Sequence, residues 1–564
     1  MARVRDETSE LLDSRDAKTL GAYYTDAQIA DFLVWWAIRS ARNTVMDPCF
    51  GGGVFLRSAC DRLTELGGQP TNQVFGVEID PDVYTQIADK LSDEFGVRKP
   101  NLLLYDFFDI DPTVVYQVDT IVGNPPFIRY QRFSGDARKR ALMRAAEQGV
   151  HLTELASSWA PFLVHSIAML RQGGRLAMVI PAEIGHAAYA LPVLDYLPKS
   201  FGKVTFLTFQ KKLFPNLSQD TLLLLAENKG ATCSRFLWRD LAHTGILRDM
   251  CSQGRLPLRG TKSINAQNLA QGHERLIEQF VPRKTRDLYY RLEKLSLARR
   301  LGELANVGIG YVTGANSFFH LSAEEANHWE IPTGFLRPAI RRGRALSGLR
   351  LTHEDWRNAL AIGEASYLLY IETEVGLPTS IRHYLEFGEQ QGASQSYKCR
   401  TRSPWFCVPH VYRPDALLSY MSGTTPRLVA NDAGVVASNS LHILRLYPHT
   451  TLTNDTLAVL WQTSLTQLSV EVEGHGMGGG MLKLEPTEAE NVIVAWPQHT
   501  NGKLKAMLEE LDTLVRSGDI AHAQARADAM ILREGIGLSK NDCRLLQEAA
   551  DTLRDRRYSR STKT

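Results

Sequence analysis

From about Ala41 to Glu227 the chain alternates short, nearly unbroken apolar runs with longer segments of helical patterning. The runs "NTVMDP", "QVFGVEID", "NLLLYDFFD", "VDTIVGNPP", "GGRLAMVIP", "KVTFLTF" and "TLLLLAE" read as strands. Strands that are apolar on both faces belong to a mostly parallel sheet covered by helices on each side, so the pattern predicts a doubly wound α/β domain. Ligands of such sheets sit outside the carboxyl ends of the strands, which directs attention to the residues after each run. After about Ser234 the alternation stops. Short strands, turns and basic clusters continue to about Gln498, and then Leu504, Met507, Leu508, Leu511 and Val515 fall at helical spacing. The expected division is residues 1–233 as the α/β domain, 234–498 as a mixed α+β domain, and 499–564 as a helical C-terminal segment. Its basic tail "RDRRYSRSTKT" reads as a disordered end.

Composition changes this picture little. A chain of 564 residues is long enough for two or three cores, and 44% hydrophobic with 22% charged residues is ordinary for a soluble globular protein. A formal net charge of +2 argues for no particular partner, so a nucleic-acid partner must be argued from local patches. Seven cysteines with no C-x-x-C pair argue against a disulfide framework or a structural zinc site and for a reducing compartment; the cytoplasm is expected, with no metal. The polar start "MARVRDETSE" has no signal-peptide pattern, and no apolar stretch reaches about 18 residues, so neither export nor a membrane span is expected.

The chemistry gathers after the predicted strands. "DPCFGGGVFL" (residues 47–56) leads from a strand into a helix; its glycines permit a tight turn and close approach of a ligand, and the helix start offers free N–H groups. The spacing is not G-x-G-x-x-G, so no pyrophosphate cradle is implied, and a plain tight turn stays open as a reading. Glu78 closes the second strand, placed to accept hydrogen bonds from ribose hydroxyls, with a solvated carboxylate as the alternative. The third strand ends in "LLLYDFFD", where Asp106 is placed to accept from an exocyclic amine and Phe107 to cover a purine face. Backbone at Gly51 and Gly53, ribose at Glu78 and base at Asp106 and Phe107 thus outline a nucleoside. The fourth strand runs into "GNPPF". Asn124 and Pro125 each precede a proline and are held extended, and neither Pro125 nor Pro126 has an N–H. What remains is a rigid ledge of acceptors, the Asn124 side-chain oxygen and the Pro125 carbonyl, beside the flat face of Phe127. Such a ledge suits a planar ring bearing an NH2 group.

"GAYYT" (residues 21–25), "DPCFGGGVFL", "GVEID", "YDFFD" and "GNPPF", in this order and spacing, resemble the S-adenosylmethionine-dependent amino-methyltransferases. More narrowly they resemble the gamma class of N6-adenine DNA methyltransferases of restriction–modification systems. "FQKKLFPNLSQDTLLLLA" is similar to the family's stretch that closes the domain over the target base, and "LGELANVGIGYVTGANSFF", "YKCRTRSPWF", "PRLVANDAGVVASNSLHIL" and "GHGMGGGMLKLEP" resemble its target-recognition region. The resemblance covers about Leu20 to Pro486. It implies a Rossmann-like methyltransferase sheet with a C-terminal target-recognition domain, S-adenosyl-L-methionine as cofactor and double-stranded DNA as substrate. It further implies a chain that acts as a monomer and admits a separate cognate restriction endonuclease. Around the cofactor it implies Tyr23, Thr25, Asp47, Pro48, Gly51, Gly53, Phe55, Glu78, Ile79, Asp106, Phe107 and Asn124. At the target amine it implies Asn124, Pro125, Pro126 and Phe127, with Phe214 on the far face of the base, where core packing is the alternative. This chain departs from the family pattern at Cys49 and Phe50, where small residues are common, at Gly52 in place of Ser, and at Phe127 in place of Tyr. None of these removes a group that the chemistry requires.

Other features carry blander expectations. His151, His165 and His186 lack metal-ligand spacing and read as packing or surface residues. Trp35 and Trp36 lie on a helix with Thr25 as its cap and read as core. Cys49 has no base partner and reads as a small buried residue. "RPAIRRGRAL" groups Arg337, Arg341, Arg342 and Arg344, and "YKCRTRSPWF" interleaves Lys398, Arg400 and Arg402 with Tyr397, Trp405 and Phe406. Both are candidate DNA contacts, with solvated faces as the alternative. The turns "GANSFF" and "GHGMGGGM" either let backbone approach DNA or are flexible loops. Two further readings stay open: an RNA or protein acceptor, and a DNA-specificity module whose transferase half is degenerate.

Overall fold

The computed structural model describes residues 25–114, 117–214, 220–256, 260–372, 376–450, 452–497 and 501–560. They gather into two compact units, one reaching Gln279 and the other beginning at Phe280.

The first unit is built on nine strands: β1 (Val45–Asp47), β2 (Val74–Glu78), β3 (Leu102–Leu104), β4 (Val118–Gly123), β5 (Leu170–Pro181), β6 (Phe201–Phe209), β7 (Thr221–Lys229), β8 (Arg235–Leu241) and β9 (Lys262–Asn265). Their order in the sheet is β3-β2-β1-β4-β5-β7-β6-β8-β9. Strands β3, β2, β1, β4 and β5 run parallel, and β7 lies antiparallel between β5 and β6. The chain lays down β1 to β3 in one direction and then places β4 on the opposite side of β1. The carboxyl ends of β1 and β4 are therefore the switch point of the topology, the place where ligands of such sheets bind. This is the doubly wound, Rossmann-like sheet that the apolar runs predict.

Five helices bear on the site: α1 (Ala27–Ala37), α2 (Val54–Glu65), α3 (Pro81–Phe95), α4 (Gly135–Glu147) and α5 (Trp159–Ala168). α5 is buried all round, as suits a helix set into the core. α1 buries Trp35 and Trp36 as expected, but its cap is Asp26, whose carboxylate accepts the Gln28 N–H at 2.7 Å. Thr25 is free for another partner, described below.

The sheet does not end at β7. β8 pairs parallel with β6, and β9 pairs antiparallel with β8, so the division expected at 233/234 falls inside this sheet. β8 escapes a reading based on apolar runs because its burial alternates. Phe236, Trp238 and Leu241 face inward while Arg235 is exposed, the pattern of a strand with one wet face.

The second unit carries four small sheets instead of one large one. Residues 305–309, 441–446, 416–419 and 428–430 form one, and residues 320–321, 365–369, 336–340 and 436–437 a second. A core of Phe318, Phe319 and Tyr384 adjoins the latter, with the Phe318 and Tyr384 rings stacked at 4.7 Å. "GANSFF" is thus packed and not a loose loop. Three helices, α6 (Ser464–Glu473), α7 (Asn501–Arg516) and α8 (Lys540–Ser559), belong to the same unit, although the sequence suggests a break at 498/499. Arg516 of α7 pairs with both oxygens of Asp355 at 2.6 and 2.9 Å, and Asp512 accepts the Leu349 N–H at 2.6 Å.

The basic end is helical through most of its described length and is not disordered there. Arg557 of α8 is buried and donates to both oxygens of Glu471 on α6, at 2.8 and 3.1 Å. It also donates to the carbonyls of Gly423 at 3.0 Å, Thr424 at 2.9 Å and Gly480. One guanidinium thereby fixes the Gly-rich turn of "GHGMGGGM" and the turn at 423–424, using the fork of donors that only Arg offers. Residues 561–564 lie outside the described ones.

Candidate functional site

The switch point collects residues far apart in the chain. After Asp47 the turn of residues 48–53 enters α2, with Gly53 at φ +72° and Gly51 at φ +44°. A Cβ on Gly53 would lie 2.6 Å from Ile87 Cγ2, whereas one on Gly51 would meet nothing within 4 Å. Gly53 thus serves packing and backbone, while Gly51 faces open space. Glu78 shapes this turn: its Oε2 accepts the Gly51 N–H at 2.8 Å, and its Oε1 accepts the N–H groups of Ile79 and Asp80 at 2.9 and 3.0 Å. Its two oxygens offer about four lone-pair sites, so acceptor capacity remains. The unusual Phe50 is accommodated by Gly76 of β2, where a Cβ would come within 2.6 Å of the Phe50 ring. Pro48 and Phe55 are buried in support of the turn.

Asp47 is 1% exposed, and burial pushes its carboxyl up to about 8, with the charge of Glu78 adding to the rise. Its Oδ1 accepts the Cys49 N–H at 3.1 Å, and its Oδ2 is buried without a hydrogen-bond partner. β4 ends in Gly123 for a local reason: a Cβ there would sit 2.9 Å from Asp47 Oδ1. Asn124 follows. Its Nδ2 donates to Thr25 Oγ1 at 3.1 Å, which turns Oδ1 away, and that buried oxygen has no hydrogen-bond partner. The Cys49 thiol donates to the Asn124 carbonyl at 3.4 Å. Burial, then Asp47 and Glu78, hold that thiol well above its usual range, so it stays protonated and serves as a donor.

The structure brings together Thr25, Asp47, Cys49, Gly51, Glu78 and Asn124, and places the buried Pro125 and Phe127 directly after Asn124. The two expected residues after β3 are already engaged by the chain itself. The Phe107 ring is 4% exposed, packed at 4.7 Å from both Phe162 and His165. Burial, with Arg144 nearby, lowers His165 to about 4, so it is the neutral packing histidine that its spacing suggests. Asp106 accepts the Phe108 N–H at 3.0 Å and pairs with Arg140 of α4 at 2.8 Å. Exposed apolar groups at this edge include Ile79 and Tyr105, each 59% exposed after β2 and β3, and Leu104 at the end of β3. Phe214 is half-buried beyond the carboxyl end of β6, and Tyr23 lies outside the described residues. Tyr105 and Arg140 carry no distinguishing signal in the sequence. Nor does Ser158, whose hydroxyl accepts the Ile128 N–H at 2.8 Å, although a segment with two prolines needs donors from elsewhere.

In the second unit the basic candidates divide. Arg402 donates to the carbonyls of Val312 and Thr313 at 2.5 and 2.7 Å, a structural commitment. Arg342 and Arg344 are largely exposed and share Glu364 at 3.7 and 3.3 Å. Lys398 and Arg400 flank the exposed ring of Tyr397, with their charges 5.9 and 5.5 Å from its centroid. Arg341 fixes neighbours through its carbonyl, which accepts from Ser438 at 2.9 Å. No group of His, Cys, Asp and Glu among the described residues is arranged to hold a metal ion, and none of the described helices is long and apolar enough to cross a membrane.

A mixed sheet whose parallel strands present, at the switch point, a Gly turn, an acidic strand end and an unpartnered amide oxygen fits a Rossmann-like methyltransferase domain. The comparisons with known proteins agree. Residues 10–191 match the N-6 DNA methylase family, and residues 273–532 match the C-terminal domain of Type II methyltransferase M.Eco57I. Type II methyltransferase M.AccI of Acinetobacter calcoaceticus is 20% identical over 86% of this chain and 87% of its own length. Type II methyltransferase M.XamI of Xanthomonas campestris pv. amaranthicola is 22% identical over 85% of each. Among solved structures, the Type IIL restriction-modification enzyme MmeI in complex with DNA shares the fold, with a TM-score of 0.57, 14% identity and coverage of 97% of this chain and 80% of that one. The chain carries both domains of the N6-adenine DNA methyltransferases, and it is an adenine-specific DNA methyltransferase.

Proposed function

We propose that this enzyme moves the methyl group of S-adenosyl-L-methionine to N6 of an adenine flipped out of double-stranded DNA, with Asn124 and Pro125 as the groups that receive the amine. The observation that carries the reading is the buried Asn124 Oδ1 without a partner, its amide nitrogen fixed by Thr25. A buried amide oxygen left unpaired is costly unless a ligand completes it.

The strand ends fit the cofactor. Space is open at Gly51, Glu78 has acceptor capacity for ribose hydroxyls, and Ile79 and Tyr105 offer apolar surface to a purine. When bound, the cofactor supplies an electrophilic methyl group on a sulfonium. The chain's part is alignment and hydrogen bonding. The N6 lone pair of adenine is delocalised into its ring, and the amine attacks only as it becomes more tetrahedral. Asn124 Oδ1 and the Pro125 carbonyl accept the two N6 hydrogens and favour that geometry, with no strong base required. Extrusion of the base costs a few kcal/mol. Stacking on Phe127, and on Phe214 from the other side, offsets about 1–3 kcal/mol per contact.

We assign target recognition to the second unit, with Arg342, Arg344, Lys398 and Arg400 toward DNA. The order along the chain, with the cofactor turn before the amine ledge and the recognition region last, supports the gamma class. We also take the chain as a monomer in the cytoplasm with a separate nuclease: relatives named as methyltransferases support the last, though one relative is named as restriction enzyme and methyltransferase together, and seven free cysteines support a reducing compartment.

The test is sequencing for N6-methyladenine in DNA from cells expressing the wild-type chain and Asn124→Ala. The wild type should mark one sequence. The variant should lose transfer by at least about 100- to 1,000-fold while keeping its affinity for the cofactor. Equal marking by the two chains would sink the mechanism, and labelling of RNA or protein instead would revive the other acceptors.

A further inference from the structure

The segment that faces the amine cannot hold itself in place. Pro125 and Pro126 have no N–H, so the carbonyls around Phe127 need donors from another element. They meet Ser158, at the start of α5. Its hydroxyl donates to the Pro126 carbonyl and accepts the Ile128 N–H at 2.8 Å, while its own N–H donates to the Ile128 carbonyl at 3.0 Å. These three bonds straddle Phe127 and fix the peptide units on both sides of it.

We infer that Ser158 is a positioning residue for methyl transfer, a role that rests on the reading of Asn124 and Pro125 above. By directing the Pro126 carbonyl it sets the peptide plane that aims the Phe127 ring. Through the stiff Pro125–Pro126 pair it also sets the direction of the Pro125 carbonyl. The base it works from is rigid. Ser158 is 2% exposed, α5 is buried along its whole length, and Trp159 anchors the helix start by donating to the Tyr189 hydroxyl at 2.8 Å. The role needs a side chain that donates and accepts at once, which Ser and Thr do, Cys does weakly and Ala cannot.

The test uses the full chain, labelled S-adenosylmethionine and unmethylated plasmid DNA, read as the single-turnover rate of transfer, the calorimetric dissociation constant for the cofactor, and thermal unfolding. Ser158→Ala should lower the rate about 10- to 100-fold, the scale of a small misalignment of reacting groups. Cofactor affinity should not change, and Ser158→Thr should restore most of the rate. A wild-type rate for Ser158→Ala overturns the inference. So does a loss shared by the Ala and Thr variants in step with cofactor binding and unfolding temperature, which would mark an ordinary buried polar residue. Where Ser158→Ala does not fold, Cys and Thr carry the test: a slower Cys variant at equal cofactor affinity supports the inference, and equal rates overturn it. Asn124→Ala runs alongside. If it transfers like wild type, the reading of the site fails; if it is inactive while Ser158→Ala is not, only the role of Ser158 fails.

Discussion

The two units treat their polar side chains differently. In the first, groups of chemical interest end their strands with capacity in hand: Asn124 Oδ1 and Asp47 Oδ2 are buried without partners, and Glu78 has room for further donors. In the second, many basic residues are already committed to the unit itself. Arg402 holds the loop at 312–313, Arg516 holds Asp355, and Arg557 holds two turns and Glu471. The cause is topological. A parallel sheet delivers every strand end to one edge, so residues 47, 78, 106 and 124 are assembled without side chains having to arrange it. Small irregular sheets leave many turn carbonyls to be satisfied, and Arg is the side chain that satisfies several at once.

The largest effect that sharpens this contrast is expected at Arg557. Arg557→Ala leaves Glu471 charged and buried without its main partner, and the second unit should lose about 3–5 kcal/mol of stability. The first unit should keep its cofactor affinity, and thermal unfolding beside calorimetry checks both; a loss in the two units together would erase the distinction. Next, Glu78→Ala should weaken S-adenosylmethionine binding by about 1.5–3 kcal/mol, with Arg402→Ala leaving it unchanged. An unaltered dissociation constant for Glu78→Ala would reduce that carboxylate to a brace for its turn. Third, neutralising Arg342 and Arg344 should flatten the salt dependence of DNA binding, the logarithmic slope falling by about one for each phosphate that is no longer neutralised. Titrations at two salt concentrations decide it, and superimposable curves would place recognition elsewhere.

A fourth effect concerns pH. Asp47 binds its proton with a value of about 8 in the folded chain, against an ordinary 3.8. Between those values the folded state holds more protons than the unfolded one, so stability falls as pH rises through this window and levels off above it. Asp47→Asn cannot titrate and should show a shallower fall in unfolding temperature from pH 5 to 8. Parallel profiles for the two chains would mean that Asp47 is ionised throughout.

The central strands and the residues after them are legible in the sequence because strands buried on both faces write unbroken apolar runs. What stays hidden has one wet face or a remote partner. β8 alternates, so its place in the sheet cannot be seen in "RFLWRDL". Phe107 has the composition of a base-covering residue, yet the neighbours that bury its ring, Phe162 and His165, lie more than fifty positions away. Thr25 and Asp26 both suit a helix cap, and only geometry shows that Asp26 caps α1 while Thr25 orients Asn124. The basic tail misleads for a similar reason. Its charge suggests solvent, but the buried Glu471 that receives Arg557 is 86 residues upstream.

That last pairing bears on how the protein is made. Domains generally fold as they leave the ribosome, the N-terminal one first, so the sheet of the first unit is complete well before Arg557 is translated. The turns near residues 423 and 480 must wait for a side chain synthesised 134 and 77 residues after them. A message cut short before codon 557 would therefore yield a nascent chain able to form its cofactor-binding half and unable to lock those turns.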